Sequence, residues 1–185
     1  MQQFIVYNDI HKYSDYEMPL KVEHGAIYNG DIFELRSCKR SDVDMITREM
    51  KEFEKEVQGR YNYGNHEMDP HRLYDRIVVD NVVFTHAEYE FWGEKKSLKF
   101  MKKRKGKGAF GRLLSAQLDK YRGLKPFYLS KKQKNRCMDT CVETGTDTFV
   151  GAHKHPTRVE VVLYTRGGKT IKIMVLPRGR NVITA

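Results

Sequence analysis

HGAIYNGDIFEL, residues 24–35, is the stretch on which the fold turns. Its first part, HGAIYNGD (24–31), is a short apolar run that breaks at Gly30-Asp31. Such a run, bounded by turn residues, reads as a strand buried on both faces. FIVYND (4–9) has the same form, so two strands are expected before any helix. A Gly-Asp pair at a strand end is ordinarily turn chemistry. Asp31 becomes more than that only if comparable groups close other apolar runs along the chain.

The remaining runs supply the rest of an α/β domain. In SDVDMITREMKEFEKEVQG (41–59), Ser41 is expected as N-cap with Asp44 three residues on, and Ile46, Met50, Phe53 and Val57 follow at helical spacing until Gly59 stops the run. RIVV and NVVFTH, joined at Asp80-Asn81, read as adjacent strands with a tight turn. Phe110, Leu113, Leu114, Leu118 and Tyr121 mark one side of an amphipathic helix, and a further helix runs from a Ser130 cap toward Thr144. TFVGAHKH reads as another strand, and RVEVVLYTRGGKTIKIMVLP closes the domain as a hairpin around Gly167-Gly168. No internal repeat and no linker is visible, and 185 residues suit one domain over 1–185.

Composition narrows the class. The start, MQQFIVYNDIHKYSD, has no basic region followed by a long apolar one, and no apolar run approaches the roughly 20 residues needed to span a bilayer, so a soluble, cytoplasmic protein is expected. Cys38, Cys137 and Cys141 form no CxxC pair, which argues against a disulfide framework or zinc knuckle. Cys137 and Cys141, four apart, read as small semi-buried side chains on one helix face. Residues 95–136 hold 16 Lys and Arg against the single acid Asp119, a net +15, whereas the whole chain carries +10 and its remainder therefore −5. One basic segment on a mildly acidic body suits a polyanionic partner, a nucleotide, a nucleic acid or a membrane surface met peripherally; a solvated loop is the plain alternative. Oligomeric state leaves no mark in the sequence.

Polar groups close the apolar runs in an ordered series. Asp9-x-His11 follows the first run and Asp31 the second. Asn65-His66-Glu67 sits in a Gly-led loop, His86 ends NVVFTH, and His153-x-His155 ends the last strand before the hairpin. Five of the seven histidines fall in this set. Strand ends are where ligands collect in α/β sheets, and imidazole, carboxylate and amide groups without thiolate suit first-row divalent metals.

The motifs DIH, GDIFE, GNHE, FTHA and GAHKH, in that order over residues 9–155, resemble those of the calcineurin-like metallophosphoesterases. The resemblance implies a sandwich of two mixed β-sheets flanked by helices. It also implies two divalent metal ions, with Mn2+ favoured and Zn2+ or iron as alternatives. Asp9, His11 and His155 would hold one ion, Asn65, His86 and His153 the other, and Asp31 would bridge them. The implied chemistry is attack of a metal-bridging hydroxide on a phosphoryl group. His66 would stand near the leaving oxygen as the catalytic residue that protonates it or stabilises the charge developing there, with Glu34 either orienting it or lying on the surface. Two departures are Ala152 before His153 and Ala87 after His86, where relatives usually carry Gly.

Between His86 and His153 lie 66 residues that hold most of the basic charge. A basic helical insertion is similarly placed in the UDP-diacylglucosamine pyrophosphohydrolases, where it caps the active site. There Arg stands at the place of His66, so the likeness carries no substrate with it. Here a cap insertion is expected over about 94–142, with Lys102, Lys103, Arg104 and Lys105 capturing an anionic substrate. The expected activity is hydrolysis of a phosphodiester or pyrophosphate bond in a nucleotide-type or other polyanionic substrate. Phosphomonoester hydrolysis on the same site is one alternative, and a non-catalytic nucleic-acid or membrane-surface binder is another.

Overall fold

Alternation along the strands sorts their side chains into separate cores, because successive residues point to opposite faces. The computed structural model describes residues 2–13, 20, 22–102, 106 and 127–185. Strands β1 (Gln3–Asn8), β2 (Ile27–Asn29), β3 (Tyr61–Asn62) and β9 (Gly179–Thr184) form one sheet in the order β3-β2-β1-β9. Strands β4 (Ile77–Val79), β5 (Val82–Thr85), β6 (Thr148–Gly151), β7 (Glu160–Arg166) and β8 (Lys169–Val175) form a second, in the order β4-β5-β6-β8-β7. Both sheets are mixed: β1, β2 and β3 run parallel while β9 returns antiparallel, and β5, β6 and β8 run parallel between antiparallel edges.

The helices are α1 (Val43–Glu56), α2 (Glu88–Trp92), α3 (Glu94–Met101) and α4 (Lys131–Thr144). Phe4, Val6 and Ile27 of the first sheet meet Val82, Phe84, Val150 and Met174 of the second in one apolar core. On the outer face of the first sheet, Tyr7, Tyr28 and Tyr61 pack on Ile46, Met50 and Phe53 of α1. Phe53 meets Tyr28 and Tyr61 edge-on at ring-centroid distances of 4.8 and 5.5 Å, and truncating it to Ala would cost about 3–5 kcal/mol. On the outer face of the second sheet, Val83, Phe149, Ile171 and Ile173 pack on Phe91 of α2 and on Cys137, Met138 and Cys141 of α4. The order is therefore helix, sheet, sheet, helices. This is an α/β sandwich of two mixed sheets: the apolar runs led one to expect its strands and helices, and the family resemblance implied their arrangement. Among the described residues no helix is long and apolar enough to cross a membrane.

Several local expectations change. Ser41 is not the N-cap of α1: a 3-10 turn at Arg40–Asp42 precedes the helix, Asp42 takes the cap position, and the Ser41 hydroxyl is spent on the Asp42 carboxylate at 2.7 Å. Cys137 and Cys141 share a face but are fully buried, and burial pushes both thiols up. The Ser130 cap is present as a full capping box with Gln133. The hairpin at Gly167-Gly168 forms β7 and β8 but does not close the domain, because the chain crosses to the first sheet as β9 and pairs with β1 along its whole length. The expected cap span of about 94–142 includes most of α4, whose apolar face packs on the second sheet as a layer of the sandwich. The amphipathic stretch from Phe110 to Tyr121 lies outside the described residues.

Candidate metal centre

Three of the parallel strands in the first sheet end in the same dipeptide: Tyr7-Asn8, Tyr28-Asn29 and Tyr61-Asn62. The strands pair in register, Tyr7 beside Tyr28 and Tyr28 beside Tyr61. Tyrosines thus face α1 and asparagines face the second sheet. Asn62 donates to Asn29 Oδ1 and to the Phe84 carbonyl, both at 2.9 Å, and Asn29 donates to the Thr85 carbonyl at 3.0 Å. These bonds pin the end of β5 against the ends of β2 and β3, which fixes where the two sheets present their loops. Sequence reading missed this ladder, although the repeated Tyr-Asn pair was visible.

Beyond these ends the backbone turns sharply. Asp9, His11, Asp31, His153 and His155 all adopt positive φ, between 47° and 65°. Non-glycine residues there cost of order 1–2 kcal/mol each and are held by surrounding structure. Gly30 and Gly64 permit the close approach: a Cβ on Gly30 would fall 2.5 Å from His86 Cβ, and one on Gly64 would overlap Asp31. Ala87 also has positive φ, at 74°, a conformation glycine would adopt more readily; Ala152 does not.

The turns bring the predicted aspartates and histidines together. Ligand atoms of Asp9, His11 and His155 lie within 4.8 Å of one another, and so do those of Asp31, His86 and His153. A third group of the same kind combines His11, Asp31 and His66. Each carboxylate is tied by one oxygen and presents the other. Asp9 Oδ2 accepts from Asn8 Nδ2 at 3.0 Å, while Oδ1 lies 2.8 Å from His155 Nε2 and 3.2 Å from His86 Nε2. Asp31 Oδ1 accepts from the His66 amide at 2.7 Å, while Oδ2 lies 3.4 Å from His86 Nε2 and 4.0 Å from His11 Nε2. Asp31 therefore faces one imidazole from each of the first two groups.

Supporting residues orient the rings. Glu34 is buried, not on the surface, and its Oε2 accepts from His11 Nδ1 at 3.1 Å and from His66 Nδ1 at 2.6 Å. That arrangement leaves Nε2 of both rings directed at the carboxylates. Glu67, missed in the sequence although it ends GNHE, accepts from the amides of Asp31, Phe33 and Gly64 and from the Tyr61 hydroxyl, at 2.7–3.0 Å. It binds the Asp31 loop to the Asn65 loop. Glu88 Oε1 lies 2.8 Å from His86 Nδ1, and Arg178 Nε donates to His155 Nδ1 at 3.0 Å. Neither had a sequence signal beyond Glu88 lying two residues from His86.

Burial and mutual charge set the protonation. Burial pushes the Asp9 carboxyl up, but the His155 and His86 rings outweigh it and hold it well below the usual carboxylate range. Asp31 is driven well above that range, by burial first and then by Glu67, Asp9 and Glu88, against the pull of His86. Burial opposes charge on His86, yet Asp31, Glu88 and Asp9 raise it well above 6.5. His11, His153 and His155 are lowered, mainly by burial.

Whether metal ions fit this set can be judged from its bare atoms. His11 Nε2 and Asn65 Oδ1 are buried and have no hydrogen-bond partner among the described residues. Buried polar atoms are seldom left so; His11 Nε2 lies 4.0 Å from both Asp9 Oδ1 and Asp31 Oδ2, and Asn65 directly precedes His66, so both bare atoms are of the kind a hard or borderline cation would satisfy. The residues fit the group. The anion-capturing residues expected from sequence are only partly placed: Lys102 is exposed just after α3, and residues 103–105 lie outside the described residues. Gly106 donates to the Leu35 carbonyl at 2.8 Å, which sets that glycine next to the Glu34 loop. Compared with known proteins, the chain matches no family model and no curated protein.

Proposed function

We propose that the protein is a metal-dependent phosphoesterase of the calcineurin-like type, hydrolysing a phosphodiester or pyrophosphate bond in an anionic substrate. The observation that carries this reading is the convergence of buried carboxylates and of buried or half-buried imidazoles from five strand ends on one cluster, with donor atoms left bare. Asp9, His11 and His155 would hold one divalent ion and Asn65, His86 and His153 the other, with Asp31 shared. Two such ions supply a water acidified to near-neutral pKa and neutralise phosphoryl charge. Glu34 holds the Nδ1 atoms of His11 and His66, which keeps His11 Nε2 available as a ligand atom and aims His66 Nε2 into the site. His66 Nε2 is the atom from which a proton would pass to the leaving oxygen. Arg178 at the rim adds positive charge for the phosphate that must approach two carboxylates.

The test is hydrolysis of bis-para-nitrophenyl phosphate and para-nitrophenyl phosphate by protein stripped with chelator and reloaded with Mn2+, Zn2+ or iron. Metal-dependent turnover with preference for the diester is expected. Preference for the monoester would replace diesterase by phosphomonoesterase. Equal rates with and without metal, or none with any metal, would overturn the reading.

A further inference from the structure

A second feature adjoins the metal cluster. The junction of α2 and α3 and the facing surface of α4 frame an open pocket of about 570 Å³, lined by Trp92, Lys95, Lys96, Lys99, Lys132 and Arg136 among others. That volume is within the usual range for small-ligand sites. Glu94 is the one carboxylate in the lining, and it is engaged by the Tyr74 hydroxyl. None of the five cations pairs with a carboxylate among the described residues. Arg136 is anchored through Nε, which donates to the Glu90 carbonyl at 2.7 Å, so its guanidinium is held against the α2–α3 junction. Five cations collected in a concave site, none paired with a carboxylate among the described residues, suit an anion with more than one phosphate.

Trp92 joins the pocket to the metal cluster. Its ring stands 4.2 Å from the His153 ring, centroid to centroid, at an interplanar angle of 82°. Lys96 Nζ lies over the same indole at 4.8 Å, and Tyr89 lines the pocket beside it. A single indole thus separates a candidate phosphoesterase centre from a basic pocket with two aromatic rings. Aromatic side chains set in a basic groove are the recurring means of holding single-stranded nucleic acid, because every base has a face to stack and every nucleotide a phosphate to pair.

We propose that this pocket binds a nucleotide of single-stranded nucleic acid, placing a neighbouring phosphodiester of the same strand at the metal cluster. The inference rests on the phosphoesterase reading for its second half only. Its test is fluorescence anisotropy of a labelled oligothymidylate of about ten nucleotides, within the site sizes usual for such grooves, in the presence of EDTA so that nothing is cleaved. Lys99→Glu/Lys132→Glu reverses two exposed charges in the pocket. Lys51→Glu/Lys55→Glu makes the same change of net charge on the exposed face of α1, on the far side of the sandwich. The pocket variant should bind at least about tenfold more weakly than wild type, and the α1 variant within about threefold of it. Equal losses in both variants would show a non-specific charge effect and overturn the proposal. So would a pocket variant that loses binding to phosphatidylserine vesicles but keeps the oligonucleotide. With Mn2+ present, the pocket variant's KM should rise at least about tenfold more for the oligonucleotide than for bis-para-nitrophenyl phosphate. Wild type that hydrolyses the small diester but binds no oligonucleotide sinks the pocket and spares the phosphoesterase. Wild type that binds the oligonucleotide and hydrolyses neither compound sinks the phosphoesterase and spares the pocket as a binding site.

Discussion

Arg178 Nε donates a hydrogen bond to His155 Nδ1 at 3.0 Å. An arginine cannot accept, so this imidazole nitrogen must be unprotonated, and in the neutral ring the proton sits on Nε2, facing Asp9 Oδ1 at 2.8 Å. A metal ligated through Nε2 requires that proton to leave and Nδ1 to carry one instead. Loading the cluster through that atom would therefore require Arg178 to give up His155, and its guanidinium would then be free for an anionic substrate. Arg178→Ala should bind metal at least as tightly as wild type by titration calorimetry while KM for bis-para-nitrophenyl phosphate rises about tenfold. A variant that loses its metal instead would make Arg178 a support for the ligand and not a contact for phosphate.

Asp31→Asn and His86→Ala each remove a group that faces the shared space between the ligand sets. Metal content per protein, measured by mass spectrometry after dialysis, should fall by at least about half in either variant, and turnover with it. Circular dichroism should stay close to wild type, because the apolar cores lie elsewhere. Full metal content in both variants would refute the assignment of these residues as ligands.

His66→Ala should lower kcat by roughly 10²–10⁴ on diesters with poor leaving groups and by much less on nitrophenyl esters, whose leaving oxygen needs little help. Glu34→Gln should reproduce part of that loss and also weaken metal binding, since Glu34 holds His11 as well as His66. An equal loss for His66→Ala on both ester types would mean that the ring positions substrate without giving it a proton.

Asn62→Asp replaces a donor to two oxygens with a charged acceptor, at a buried position where the sheets are pinned together. The expected cost is at least about 3 kcal/mol in denaturant unfolding. Asn62→Gln should be milder, because the donor survives on a longer arm. A loss below about 1 kcal/mol for Asn62→Asp would show that the ladder does not hold the sheets.

Acid should destabilise the metal-free protein. His11, His153 and His155 have folded pKa values below the ordinary 6.5, so their contribution is present above that value and is lost as pH falls toward the folded values, where the unfolded chain binds protons the folded one refuses. His86 and Asp31 act oppositely, since their raised values favour the folded state at lower pH. With three lowered imidazoles against His86 and Asp31, the melting temperature in EDTA should drop between pH 7 and pH 5. His153→Gln should flatten that slope. A melting temperature that rises over the same interval would mean that His86 and Asp31 dominate.

Much of this architecture could be read locally. The apolar runs of β1, β2, β5 and β6, the helical spacing of Ile46, Met50 and Phe53, the Ser130 cap and the Gly167-Gly168 turn each depend on a few neighbouring residues, because periodicity and permitted φ are properties of short segments. So are the positions of Asp9, Asp31, His86 and His153, each just past the end of a strand. The strand β9 was missed although residues 179–184 alternate buried and exposed, since a short run after Pro177 has no apolar bulk to announce it.

What the tertiary structure alone decided is which of these ends share a space. Parallel order in both sheets sends the ends of β1, β2, β3, β5 and β6 to one edge, and the asparagine ladder sets the two edges against each other. From that follow the shared Glu34, the Arg178 contact on His155, and Trp92 standing between the cluster and the basic pocket. None of these has a sequence period, because each joins residues far apart in the chain. Local propensities act over a turn or a pleat, whereas the meeting of distant side chains is settled only when the cores between the layers close and fix the strand order.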